Sequence, residues 1–412
     1  MSSHVVQCYY RRACSPEARC DNRQEVLPIS LFPVYCIGFL FFASMTLLYP
    51  VMPPYAASFG ASVPQVGLVV ALHPAVGTFF QVPTGLLSDR LGRRLLLSIG
   101  LIGTLLSSLL YLFVPNLGAL MALRVFNGVA SSAFYPAAAA LVVDLAPPEK
   151  RGQAIGMFTT ATQLGNMAGP AIGGLVLQHL GFPAAFLTGA AFSAIALLIA
   201  LAGLKSVRPG GGAFASGDIT LKWIGNWAVI AGPLSTLFVM VGIASLTSFL
   251  PLYGVQLGID IGKVGLILAT VFLGSAVMRI VAGRTCDMVG RAPVMLAGLA
   301  MCGGSTFLVS IFTTEVPLHA AALIYGLGMG STLPAAAALI ADLAPARMRG
   351  FAMGFNSGSY NAGLALGGSL LGFVADWAGF ARMYLVTAAV MGLAMVLIFA
   401  MTGKAESRKA RV

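Results

Sequence analysis

The sequence predicts an all-α integral membrane protein of twelve transmembrane helices in two six-helix bundles, with N- and C-termini cytoplasmic. Three observations carry that reading. Of the 412 residues, 58% are hydrophobic and only 9% charged, and the mean hydropathy is +0.90. A soluble domain carries about 25% charged residues, so most side chains here face lipid or other helices. Apolar stretches long enough to span a bilayer recur along the whole chain between short polar turns. Finally, the second half of the chain repeats the first.

A span needs about 20 apolar residues at 1.5 Å of rise each. Such stretches fall at about 31–53, 64–86, 95–114, 118–143, 153–177, 183–204, 226–251, 262–284, 293–313, 316–341, 351–374 and 381–402. A membrane barrel is the other structure that satisfies its backbone in lipid. It requires period-two alternation, which runs such as LGALMALRVFNGVASSAFYPAAAALVV lack.

Residues 1–30 read as a cytoplasmic, disordered tail: charges of both signs are interleaved, and the apolar run that follows is long enough to span, unlike a signal peptide. Cys8, Cys14 and Cys20 are evenly spaced there, but zinc sites use four ligands in tight pairs and the only histidine nearby is His4. The other cysteines, Cys36, Cys286 and Cys302, fall in or beside helices, and no metal or cofactor is expected.

The repeat is the strongest internal signal. YPAAAALVVDLAPPEKRG at 135–152 recurs as LPAAAALIADLAPARMRG at 333–350, an offset of 198 residues. The same offset lays Gly85, Asp89, Gly92 and Arg93 on Gly283, Asp287, Gly290 and Arg291, and Gly165, Gly169 and Gly174 on Gly363, Gly367 and Gly372. Six spans per copy is an even number, so both copies insert with one orientation, related by an axis along the membrane normal. The domains are then an N-terminal bundle at 31–205, a Gly/Ser-rich cytoplasmic linker at 206–225, a C-terminal bundle at 226–402 and a cytoplasmic tail at 403–412.

The formal net charge of +11 does not mark a nucleic-acid binder, because the charges are distributed by side. With a cytoplasmic N-terminus, Arg11, Arg12, Arg19, Arg23, Arg90, Arg93, Arg94, Lys150, Arg151, Lys205, Arg208, Lys222, Arg284, Arg291, Arg347, Arg349 and the basic residues of the C-terminal tail share one face. Lys263 and Arg382 fall on the other. That is a topology signal.

The loop GLLSDRLGRR at 85–94 combines Gly85 and Gly92, suited to close approach and a sharp turn, with Asp89, Arg93 and Arg94. Its copy, GRTCDMVGRA, keeps Asp287 and Arg291 but has Ala292 in place of Arg94. Asp144 and Asp342 end spans 4 and 10, where a carboxylate opposes the helix dipole and needs a basic partner. Arg93, Arg151, Arg291 and Arg349 are the candidates. Span 5 carries Gly156, Gly165, Gly169, Pro170, Gly173 and Gly174, small residues that let helices pack closely around a proline bend.

These motifs, with LYPVMPPY at 48–55 and RVFNGVASS at 124–132, resemble the major facilitator superfamily, and within it the twelve-helix drug/proton antiporters. The resemblance spans the whole chain, with Asn127 where that group has Gln. It implies secondary active transport by alternating access, with Asp89 latching the cytoplasmic face against span 11, and span 5 as a hinge favouring efflux.

Arg124 lies well inside a span, where charge costs at least about 2.5 kcal/mol, and is the leading candidate for substrate or proton coupling. Asn127 and Ser131 share its face, and span 5 offers Thr159, Gln163 and Asn166. His73 can carry a proton or simply pack. Arg279, Tyr325, Asn356, Tyr360 and Asn361 are further cavity candidates. No acidic residue lies at mid-membrane, so a neutral or anionic substrate is expected: a drug-like compound, a metabolite or a siderophore.

The expected function is therefore proton-coupled efflux of a small organic compound by a monomer in the cell (inner) membrane, with the lipid bilayer, a small-molecule substrate and protons as partners. Uptake symport of an organic anion or sugar is the alternative within the same fold, and a non-transporting receptor the alternative outside it. No nucleophile–base pair, Walker loop or nucleotide fingerprint points to an enzyme or to ATP-driven pumping.

Overall fold

The computed structural model describes residues 31–204, 227–343 and 349–409. The expected tail with Cys8, Cys14 and Cys20 and the linker at 206–225 lie outside the described residues, as do the side chains of Asp89 and Arg349.

Twelve passages are present among the described residues, and no strand. Span 1 is Phe32–Ser58, span 2 Val63–Leu91, and span 3 Arg93–Leu110 extended by a short 3-10 turn, Tyr111–Phe113. Span 4 is two helices, Leu117–Ser132 and Phe134–Leu145. Spans 5 and 6 run as one element, Arg151–Gly203, divided by a kink at Gly181. The second bundle comprises Trp227–Gln256, Ile261–Val289, Arg291–Ile311, Glu315–Leu343, Arg349–Ala378 and Phe380–Lys409 as spans 7 to 12. Length and apolarity pick out ten membrane-crossing elements, with spans 5 and 6 taken as one. Span 11 is left out because Asn356, Ser357, Ser359, Tyr360 and Asn361 lower its hydropathy.

One element runs past its expected bounds. Span 12 continues as helix to Lys409, through much of the segment expected to be tail; only Phe380–Thr402 is apolar enough to span. Span 5 carries Pro170 within its helix, and the residue of the merged element that leaves helical angles is Gly181, between spans 5 and 6.

The turns repeat as the sequence does. All the positive-φ residues described are glycines, and they form three pairs at the 198-residue offset: Gly60 and Gly258, Gly92 and Gly290, Gly181 and Gly379. With φ of 99° and 98°, Gly92 and Gly290 sit where an L side chain clashes, which is why the loop after spans 2 and 8 must carry glycine there. Entry into span 2 is fixed by Ser62 N–H donating to Gln65 Oε1 at 2.9 Å, and span 4 is capped by Asn116 Oδ1, which accepts from Ala119 N–H at 2.9 Å.

Each bundle has its own core. Phe41 stacks on Phe134 at 3.6 Å between ring centroids in the first, while Phe249, Met295, Tyr325 and Tyr384 fill the second. Three buried tyrosines donate to backbone carbonyls: Tyr55 to Tyr111 at 2.6 Å, Tyr384 to Ser245 at 3.2 Å, and Tyr325 to Val239. Leu198, Phe373, Trp377 and Phe399 point outward, an apolar exterior that suits lipid.

Candidate functional site

A cavity of about 370 Å³ lies between the bundles. Spans 1, 2, 4 and 5 line it from one half and spans 7, 8, 10 and 11 from the other. On the side away from the termini it is closed by two crossings of glycine on glycine. Spans 2 and 11 meet where Gly67 lies against the Gly368 carbonyl; spans 5 and 8 meet where Gly174 lies against Gly265 and the Ile261 carbonyl. The Gly262 N–H donates to Gln178 Oε1 at 3.1 Å across the second crossing. On the terminus side the wall residues Tyr135 and Tyr360 are exposed, and among the described residues a Cβ on Gly156, Gly283, Gly354 or Gly358 would meet nothing within 4 Å. The cavity is thus open towards the termini and shut on the opposite side.

Arg124 is 6% exposed and lines the cavity, but two of its donors are engaged by backbone. Its Nε donates to the Val69 carbonyl at 3.0 Å and its Nη2 to the Val70 carbonyl at 3.2 Å. The cause is four residues further along span 2. Pro74 has no N–H, so the Val70 carbonyl loses its helical donor, and the guanidinium takes that place. Arg124 therefore closes a proline gap in span 2 as well as charging the cavity.

His73 Nε2 and Ser131 Oγ are 2.9 Å apart on the cavity wall. Asn127 does not line the cavity; it is buried between helices with both side-chain polar atoms unpartnered. Gln163 and Asn166 both line it and bond to each other, Nδ2 to Oε1 at 3.0 Å, while Gln163 Nε2 is buried without a partner. Arg279 lines it with Nε 3.4 Å from Ser275 Oγ. Tyr360 lines it, and Asn361 reaches across the bundles to give its Nδ2 proton to Gln81 Oε1 at 3.1 Å. Asn356 is on the wall and accepts from Thr236 at 2.8 Å. Tyr325 is instead packed inside the second bundle.

The wall also holds residues the sequence reading passed over: Gln81, Tyr49, Tyr135, Phe272, Thr247 and Ser248. Tyr49 and Phe272, from opposite bundles, stack at 6.2 Å. The repeat contained the missing signal, since the offset pairs Gln81 with Arg279 and Tyr49 with Thr247, unlike residues within a matched frame. Among the described residues no Asp or Glu lines the cavity.

Among the described residues, the ion pairs of the loop motif and its copy lie within one bundle each. Arg93 Nε meets Asp144 Oδ2 at 3.3 Å, and at the equivalent place Arg291 Nε meets Asp342 Oδ2 at 3.3 Å. Arg291 also binds Asp287 at 2.6 Å. Arg94 donates to the Leu201 carbonyl at 2.6 Å, bracing span 6 rather than reaching the other bundle. Arg151 is exposed at the start of span 5.

The span 5 glycines divide by partner, which corrects their reading as one hinge at the bundle interface. Gly165, Gly169 and Gly173 pack on span 1 of the same bundle, Gly156 is open, and only Gly174 and the Pro170 carbonyl touch span 8 of the other.

The sequence profile described as Major Facilitator Superfamily matches residues 34–258 and 234–412. An uncharacterised MFS-type transporter of Methanocaldococcus jannaschii is 26% identical over 375 residues, covering 86% of this chain and 93% of that protein. The multi-drug resistance efflux pump PmrA of Streptococcus pneumoniae is 26% identical over 335 residues, covering 79% of this chain and 82% of the pump. The crystal structure of a bacterial homologue of the human lysosomal transporter Spinster, inward-facing and unoccupied, superposes with a TM-score of 0.76 over 90% of this chain and 96% of that one. At 15% identity that likeness carries the fold alone.

Proposed function

This chain belongs to the Major Facilitator Superfamily, a family of transporters rather than enzymes, and we propose that it exports a small organic compound, neutral or anionic, in exchange for protons. The observation that carries this is the cavity itself. Both bundles build it, it opens to one side only, and its wall mixes aromatic and polar side chains with the guanidiniums of Arg124 and Arg279 and, among the described residues, no carboxylate. A volume of about 370 Å³ lies within the range of ligand pockets, roughly 300–1,000 Å³.

The mechanism is alternating access. With both termini in the cytoplasm, as the basic residues favour, this state takes up cytoplasmic substrate. Closing the terminus-side ends and parting the two glycine crossings delivers it outside. In this reading the loop at 85–94 and its copy at 283–292 hold the closed cytoplasmic face through Asp89, a role supported by the Arg93–Asp144 and Arg291–Asp342 pairs that order each loop within its bundle.

Proton return falls to His73, the one imidazole on the described cavity wall. Its bond to Ser131 joins span 2 to span 4, and protonation converts Nε2 into an obligatory donor. Export is favoured over uptake by similarity to PmrA, an efflux pump. Comparing metabolites in the medium of cells with and without the gene, then testing the missing compound in proteoliposomes of known orientation under an imposed pH gradient, decides the reading. Movement of substrate along with protons, rather than against them, overturns it.

A further inference from the structure

We propose that the cavity holds an organic anion between Arg279 of span 8 and Gln163 of span 5, where the anion supplies a cross-bundle bond that Gln81 and Asn361 make directly on the opposite side. This rests on the reading of the cavity as a transport site. The 198-residue offset that relates the two halves pairs Gln81 with Arg279 and Asn361 with Gln163. Spans 2 and 11 and spans 8 and 5 are the two equivalent crossings, so each crossing carries one such couple below its glycines.

In the first couple a donor meets an acceptor: Asn361 Nδ2 bonds Gln81 Oε1 at 3.1 Å and ties spans 2 and 11. In the second the amide has become a guanidinium, which has no acceptor. Gln163 Oε1 already accepts from Asn166, and Gln163 Nε2 is buried without a partner. Arg279 bonds Ser275 through Nε, and no carboxylate pairs with it among the described residues. At the places matching Gln81 and Asn361, this couple therefore offers a donor from each bundle.

A group with two acceptor oxygens and a negative charge resolves that mismatch, accepting from the guanidinium on one side and from the buried amide on the other. Arg124 is the weaker candidate for the same task, because its Nε and Nη2 are spent on Val69 and Val70. The remainder of the ligand is apolar and aromatic, to suit Tyr49, Phe272 and Tyr135 on the wall. Occupancy then draws spans 5 and 8 together as Gln81 and Asn361 draw spans 2 and 11, which couples substrate binding to closure of the terminus side.

The test uses the full chain in lipid nanodiscs, titrated calorimetrically with 1-naphthoate, naphthalene-1-sulfonate and the uncharged 1-naphthamide. A second readout is disulfide cross-linking between Gly156→Cys and Gly283→Cys, with the native cysteines replaced. Both anions should bind about tenfold or more tightly than the amide, and they alone should raise cross-linking. Arg279→Gln should abolish the preference and the cross-linking response; Arg279→Lys should keep the preference at reduced affinity, lacking the planar fork. Gln163→Leu should weaken both anions without changing the amide.

The proposal is overturned if the wild type binds the anions no better than the amide, or if folded Arg279→Gln protein retains the preference. Where Arg279→Gln does not fold, unchanged anion affinity in both Arg279→Lys and Gln163→Leu overturns it. Transport direction is measured separately in proteoliposomes. Export of a neutral solute without anion preference removes this inference and leaves export standing; anion preference with uptake does the reverse.

Discussion

Replacing Gly174 by alanine puts a methyl group into the crossing that shuts the cavity away from the termini. On the present backbone its Cβ falls 2.8 Å from the Ile261 carbonyl oxygen and 2.9 Å from the Gly265 Cα, inside any tolerable contact, so spans 5 and 8 must separate. Overpacking of this kind costs about 1–3 kcal/mol. That cost falls on the state in which the two helices cross and is absent from the state in which they part. The equilibrium should therefore move about 5- to 150-fold away from the terminus-open form. Gly169→Ala is the control, since its Cβ meets Thr46 and the Ala43 carbonyl of span 1, a contact inside one bundle that both states share. Spin labels at 152 and 354, on the terminus-side starts of spans 5 and 11, report the distribution by pulsed electron resonance. Gly174→Ala should shorten that distance, and Gly169→Ala should lower thermal stability while leaving it alone. An unchanged distribution in Gly174→Ala, or an equal shift in Gly169→Ala, would refute the assignment of Gly174 to the gate.

Three other outcomes follow from the same geometry. Arg124→Ala should lower unfolding stability by about 1–3 kcal/mol by orphaning the Val70 carbonyl, and Pro74→Ala, which restores a helical donor, should recover part of that loss in the double mutant; additive effects in the four-way cycle would sink the gap-closing role. Asp89→Asn should leave abundance near wild type while transport drops and cysteine access from the terminus side rises; normal transport returns Asp89 to a topological anchor. His73→Gln should preserve folding and substrate binding but uncouple transport from an imposed pH gradient, and a gradient-driven flux equal to wild type removes His73 as the proton carrier.

The sequence was a good guide wherever one residue type has one physical use. Long apolar runs mark spans, and the repeated frame marks two bundles; Gly92 and Gly290 mark turns because no other residue takes their φ without strain. It also gave four candidate partners for Asp144 and Asp342, of which Arg93 and Arg291 make the described pairs. It was a poor guide where the partner is backbone or lies far along the chain. The two carbonyls that hold Arg124 carry no side-chain signature, although Pro74, four residues after Val70, was a clue to one of them. Nothing near Asn361 announces Gln81, which is 280 residues away. The span 5 glycines look alike in the sequence, yet only their position around the helix decides that Gly169 meets span 1 and Gly174 meets span 8.

Duplication itself separates the two tasks of the molecule. Residues whose role is steric are the same in both halves: Gly67 and Gly265, Gly174 and Gly372 stand at the two crossings, at matching places. Residues that differ at matching places are those on the cavity wall: Gln81 against Arg279, Tyr49 against Thr247, Pro74 against Phe272, Arg124 against Ala322, His73 against Val271. A symmetric gate with an asymmetric lining lets both crossings open and close by one steric rule, while the lining charges, aromatic rings and hydrogen bonds are set independently in each half. Substitutions on the wall should accordingly change which compound is held without changing how the bundles rock. The couples Gln81–Asn361 and Arg279–Gln163 are the exception, because they belong to the wall and to the crossings at once, and it is through them that a bound solute can bear on the conformation.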